Sequence, residues 1–319
     1  MKGNKPMKTI TSFICVAFAL LVRTKHLRQL FSTTACLGAV ILICGSASAR
    51  TLFMSDGYSG SAHNLGHIYK FTPHGVASTF RSGLDGPEGL AFDVAGNLYV
   101  TSSSGHIYKF TPGGTRTTFA SGLNDPRGLA FDSAGNLYVT DSGSGHIYKF
   151  RPNGGRTTFA SGLHYPTALA FNIAGNLFVA DLILSGSGQV RNSNIYKFQP
   201  NGARTTFASG IKPYALAFDS GGNLFVTGWG NGGWGYVFKY TWNGLRTTFA
   251  RLRLPLGLAF NSAGNLFVMD EDTGKIYKYT PNRVRSVFAQ IPGLVLDQTG
   301  YLAFSPPAVE TSEIVTDQP

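Results

Sequence analysis

The chain has 319 residues, with 40 Gly, 24 Phe and 14 Tyr, only 13% charged residues and a formal net charge of +11. Abundant turn formers and aromatics with little helix-forming charge point to an all-β globular protein and away from disorder. All three cysteines, Cys15, Cys36 and Cys44, precede residue 50, so the rest of the chain can hold no disulfide, thiolate metal site or cysteine nucleophile.

Residues 1–49 differ in character from the rest of the chain. Two apolar runs, Ile10–Val22 and Ala35–Cys44, flank Arg23, Lys25 and Arg28, and the second ends in Gly45-Ser46-Ala47-Ser48-Ala49-Arg50. Basic flank, short apolar core and Ala-x-Ala end make a secretory signal peptide, with cleavage expected after Ala49. Translation from Val22 would leave an ordinary one. Both runs are shorter than the roughly 20 residues of a spanning helix, which disfavours an uncleaved anchor. Bulky Ile43 before Cys44 disfavours a lipoprotein. The expected location is extracytoplasmic, periplasmic or secreted, with no stable membrane span in the mature protein. Six of the 27 basic and none of the 16 acidic residues lie in this leader, so the remainder carries 21 basic residues and a net charge of +5.

From residue 51 four motifs recur in fixed order. The first is an apolar run: Gly89–Asp93, Gly128–Asp132, Ala168–Asn172, Ala215–Asp219, Gly257–Asn261 and Gly293–Asp297. The second follows a tight turn: Thr51–Met54, Asn97–Val100, Asn136–Val139, Asn176–Val179, Asn223–Val226 and Asn265–Val268. The third is Ile-Tyr-Lys-aromatic, as in Ile107–Phe110 and Ile147–Phe150. The fourth is Thr-Thr-Phe, as in Thr117–Phe119. Each is a short run of β-branched and aromatic residues bounded by turn chemistry, and Asp-x-Ala-Gly-Asn or Pro-Asn-Gly joins successive pairs. Four antiparallel strands every 40 or so residues are the mark of a propeller blade. The expectation is therefore an all-β, six-bladed β-propeller over residues 50–304, with a flexible tail at 305–319. It would close by uniting N- and C-terminal strands in one blade, with Gly293–Asp297 as the inner strand there. Tyr301–Phe304 also resembles the second motif and competes with Thr51–Met54 for one place.

The run Pro126-Arg127-Gly128-Leu129-Ala130-Phe131-Asp132, then Gly135–Asp141, then Ile147–Phe150, resembles an NHL repeat. The resemblance covers essentially residues 51–304 and extends to the regucalcin/gluconolactonase-like propeller superfamily. It implies fold strongly and function weakly.

Meander topology puts the short, uniform turns on one face. The uneven loops, Asp56–His67, Asp181–Asn194, Thr227–Gly235 and Asp270–Lys275, fall on the other, where binding is expected. The residues just before the inner strands, Glu88, Arg127, Thr167, Tyr214, Leu256 and Pro292, should ring the channel mouth. The gluconolactonase resemblance implies carboxylate and amide metal ligands at such positions, but only Pro87-Glu88-Gly89 fits. A hard divalent ion wants several oxygens, so Glu88 reads more simply as an ion pair with Arg127. No cofactor is expected, although a cation such as Ca2+ at Glu88 is left open. Tyr165, Tyr214, Trp229 and Trp234 form the most suggestive polar-aromatic set, and Asp270 joins them on the uneven face. The repeated Asp56, Asp141, Asp181 and Asp270 are expected to cap strand ends, and His67, His106 and His146 to belong to the repeat. Lys and Arg recur blade by blade and read as a solvated rim, which argues against nucleic acid. The leading functional reading is a monomeric, non-catalytic binding or scaffold protein for a small molecule, glycan or protein. The alternative is a metal-dependent lactonase of the gluconolactonase type.

Overall fold

The computed structural model of the chain describes residues 50–57, 65–185, 190, 191, 193–229, 234–291 and 300–307. The leader, Pro292, Gly293–Asp297 and residues 308–319 lie outside this set.

The described residues form six four-stranded antiparallel sheets. Blade 1 unites Leu302–Phe304, Leu52–Asp56, Leu65–Phe71 and Ala77–Asp85, in that order from the axis outward. Blades 2 to 6 are simple meanders that begin at Pro87, Pro126, Pro166, Pro213 and Pro255. Each inner strand touches its two neighbours in a closed cycle, blade 6 meeting Leu302–Phe304 and that strand meeting blade 2. Such radial closure leaves only short, protected inner edges around the axis.

The closing strand differs from the sequence expectation. Leu302–Phe304 and Leu52–Asp56 do not compete; they pair with each other, Leu52 opposite Phe304 and Met54 opposite Leu302. Leu302-Ala303-Phe304 thus repeats Leu90-Ala91-Phe92 as an inner strand. The reason is visible in the packing between blades. In every blade an aromatic on the second strand meets one on its own fourth strand and the inner-strand Phe of the next blade. Tyr99 lies 5.0 Å from Phe119 and 5.1 Å from Phe131, both edge to face. Phe267 completes the set with Phe288 at 4.9 Å and Phe304 at 5.1 Å. Edge-to-face pairs add about 0.5–1.5 kcal/mol each beyond their buried area. Only a Leu-Ala-Phe run with its Phe at that site closes the ring with the same contact.

Two devices position the axis. Inner strands begin with proline and a bulge: the pairing of blade 2 skips from Pro87–Ser102 to Leu90–Val100, which releases Glu88 and Gly89 from the ladder. Bulges of this kind re-aim side chains. Between blades, a hydroxyl on the second strand links neighbours. Thr101 accepts from the Gly89 amide at 2.8 Å and donates to the Arg127 carbonyl of the next blade at 2.7 Å. Thr140 and Thr227 repeat this link. Gly89 is required there, because a Cβ would sit 2.0 Å from the Arg127 carbonyl oxygen.

The tight turns are built alike. The Asp93 carboxylate accepts from the Asn97 amide at 2.8 Å, and Gly96 takes φ 80°. Asp132 and Asp219 do the same with Asn136 and Asn223. These turns share one end of the disc with the Pro-x-Gly turns, as the approach of Gly96 to Pro112 shows. The uneven loops and the channel mouth share the other.

Candidate functional site

At the mouth the residues before the inner strands come together as the sequence implies, except that register puts Gly300 in the sixth place. Glu88 of blade 2 is buried, and its Oε2 lies 3.3 Å from Nη1 of Arg127 in blade 3. Arg127 Nε also lies 3.2 Å from Asp125 Oδ2, an oxygen that accepts the Tyr165 hydroxyl at 2.7 Å. The guanidinium lies over the Tyr165 ring at 5.0 Å. Two carboxylates and an aromatic face therefore hold one cation. Asp125 does this from a left-handed backbone, φ 58°, that is uncommon for a residue other than glycine.

The environment separates these groups electrostatically. Burial pushes the Glu88 carboxyl up to about 7, against the pull of Arg127. Burial works against the Arg127 charge too, but Glu88 leads the groups that raise its pKa, so it stays a cation. Burial likewise pushes the Tyr165 and Tyr214 phenols up to about 12, leaving both as protonated donors.

A cavity of about 180 Å³ opens beside this cluster, with Arg127, Tyr165, Thr167, Tyr214, Leu256 and Tyr301 in its wall. The Thr167 hydroxyl, 3% exposed as a residue, has no hydrogen-bond partner. Neither has the buried indole N–H of Trp229, whose ring lies 5.1 Å from that of Tyr214. Tyr301 stands one position after Gly300, where the other inner strands carry Gly89, Gly128, Ala168, Ala215 and Gly257. Its hydroxyl donates to the Thr167 carbonyl at 3.1 Å, from blade 1 to the opposite blade 4. It also lines a smaller cavity of about 70 Å³ among the inner-strand leucines, and so forms the floor between the two.

The remaining residues singled out in sequence lie apart from this cavity. Trp234, 36% exposed, has Arg251 at 4.5 Å and Arg253 at 5.0 Å over its ring. Asp270 is buried and accepts from the Leu254 amide at 2.9 Å. Asp141 and Asp181 accept from Asn124 and Tyr165 amides in the same way. His67, His106 and His146 stack on the tyrosines two residues on. Sequence reasoning missed Asp125 and Tyr301. Aligning Leu302–Phe304 with Leu90–Phe92 would have exposed Tyr301; Asp125 falls at a position with no repeated residue type. Among the described residues no three His, Cys, Asp or Glu side chains gather to hold a metal ion.

Residues 123–150 match the NHL repeat, and residues 81–110 match a strictosidine synthase-like N-terminal family. The chain is a six-bladed β-propeller that carries an NHL repeat. No curated protein matches the sequence of this NHL-repeat propeller. Solved structures resemble it in fold. A nidogen/laminin complex is 21% identical at a TM-score of 0.67, covering 81% of this chain and 98% of that one. A gluconolactonase from Xanthomonas campestris is 16% identical at a TM-score of 0.59, covering 72% and 81%. A catalytically inactive virginiamycin B lyase from Staphylococcus aureus, with quinupristin, is 15% identical at a TM-score of 0.56, covering 82% and 94%.

Proposed function

We propose that this NHL-repeat propeller is an exported, non-catalytic binding protein that takes a small, oxygen-rich neutral ligand at its channel mouth. The observation that carries this reading is the cavity itself, where an ordered guanidinium, two protonated phenols and an unpartnered buried hydroxyl converge. Buried polar groups normally find partners, and a concave site with a few convergent polar groups on an apolar wall is the usual form of a ligand pocket. Arg127 is already flanked by Glu88 and Asp125, so a further anion gains little there, whereas a neutral ligand with hydroxyl and carbonyl groups suits the hydroxyls of Tyr214 and Thr167 and the apolar wall. The likeness to a chain solved as a nidogen/laminin complex supports a protein partner as a second reading.

The test is a saccharide and small-molecule screen by tryptophan fluorescence and thermal shift, repeated on Thr167→Val and Tyr214→Phe, both in the cavity wall. A hit should lose roughly tenfold or more in affinity in both variants, one lost hydrogen bond to a buried group being worth about that much. Hits that ignore both variants would remove the cavity from consideration. The gluconolactonase likeness supports a lactonase as the alternative. It requires a divalent ion, and the residues do not fit one: the single ring carboxylate, Glu88, faces the Arg127 cation. A stoichiometric divalent ion in the purified protein would reverse this preference.

A further inference from the structure

The opposite face of the disc carries a different signal. In sequence the basic residues look evenly spread; the fold spreads them around the ring but not along its axis. The repeated lysines, such as Lys109, Lys197 and Lys278, stand next to last in third strands. The repeated arginines, such as Arg116, Arg156 and Arg204, head fourth strands. Both positions fall at the end that holds the tight turns, together with Arg50, Arg151 and Arg283. Each repeated Arg is exposed and held over an aromatic ring, as Arg156 is over Tyr148 at 5.0 Å. Among the described residues the only acids at that end are Asp93, Asp132 and Asp219, each near a repeated lysine. The other described acids, from Asp56 to Asp272, gather at the mouth end.

The same basic end exposes apolar side chains where turns favour polar ones. Val94 and Ile173 occupy the second position of tight turns whose counterparts are Ser133, Ser220 and Ser262, and they are 92% and 99% exposed. Trp242 replaces the proline of the other blades in its turn and is 84% exposed. Val76, Leu245 and Val284 follow turn glycines or Arg283 at one repeated position, each more than 60% exposed. Val94, Ile173 and Trp242 lie within their turns, and Val76, Leu245 and Val284 close theirs by accepting a backbone hydrogen bond.

We infer that the turn face docks peripherally on an anionic lipid surface, with Val94, Ile173 and Trp242 entering the interface and the repeated arginines and lysines facing the headgroups. A soluble polyanion would satisfy the charge alone; apolar tips interleaved with cations, with an indole among them, are the combination that an acyl–headgroup boundary rewards. No helix among the described residues is long and apolar enough to cross a membrane.

The experiment is flotation of the full chain with vesicles of phosphatidylcholine alone or with added phosphatidylglycerol. The apolar leader is common to every variant, so differences between variants carry the result. Phosphatidylglycerol should increase binding, and salt should abolish the increase. Arg156→Gln with Arg204→Gln should reduce the increase roughly fivefold per cation removed. Val94→Ser with Ile173→Ser and Trp242→Ser should weaken it about tenfold or more. Lipids brominated in the acyl chain should quench Trp fluorescence in the wild type and lose that part in Trp242→Phe. A folded protein to which phosphatidylglycerol makes no difference overturns the inference. So does a triple-Ser variant that binds as tightly as wild type, which would assign the face to a soluble polyanion.

Discussion

The Glu88 carboxylate and the Arg127 guanidinium meet at 3.3 Å across the joint between blades 2 and 3, where both are largely withdrawn from water. Arg127→Met leaves the Glu88 and Asp125 carboxyls facing each other without a cation and should cost about 3–5 kcal/mol. Chemical denaturation at neutral pH measures it, and a loss under 1 kcal/mol would mean that the pair stands in water. Glu88→Gln, which keeps the shape and leaves Asp125 to hold Arg127, should cost clearly less.

The same pair gives stability a pH dependence of defined sign. With its carboxyl pushed up to about 7, folded Glu88 keeps a proton that the unfolded chain releases at the ordinary glutamate value. Between those values the folded state binds more protons, so this contribution is fully present below about 4.5, falls as pH rises, and is gone above about 7. The unfolding free energy of wild type minus Glu88→Gln, followed from pH 4 to 8, should therefore decline across that window. A flat difference would show that Arg127 fully ionises Glu88 at acid pH.

Phe304 should behave as an inner-strand residue equal to its repeats. Phe304→Ala and Phe92→Ala should each cost about 3–5 kcal/mol, because both remove a ring held edge to face between blades. Thermal or denaturant unfolding compares them directly, and a cost for Phe304→Ala below 1 kcal/mol would place the closing strand elsewhere.

Tyr301→Phe isolates the bond across the axis. Losing the hydroxyl that donates to the Thr167 carbonyl should cost about 1 kcal/mol with the fold kept. Tyr301→Ala should cost several times more, because it also empties the floor between two cavities. Equal costs would assign the effect to the ring alone.

How far the sequence carries depends on what the repeat encodes. Strands, turn chemistry and the strand-capping Asp residues are legible because the same local chemistry recurs at each. The ring of Glu88, Arg127, Thr167 and Tyr214 follows from knowing where inner strands begin. The closing strand was harder, since Gly293–Asp297 shows the same apolar run as Gly257–Asn261. The deciding contact, Phe304 against Phe267, joins different blades and leaves no local trace. Asp125 is invisible for a related reason: its partners, Arg127 and Tyr165, converge only when blades 3 and 4 sit side by side. The charge asymmetry was hidden because a regular spacing along the chain says how charges circle the axis, while strand direction decides which end they reach.

Tyr301 also settles what kind of vessel the molecule is. Rings of this architecture are open shafts when small residues line every position, and five of the six inner strands here would permit that. One phenol, anchored to the far wall at Thr167, turns the shaft into a cup. A molecule seated at the mouth would rest on this phenol, so a single side chain sets the depth of the cavity.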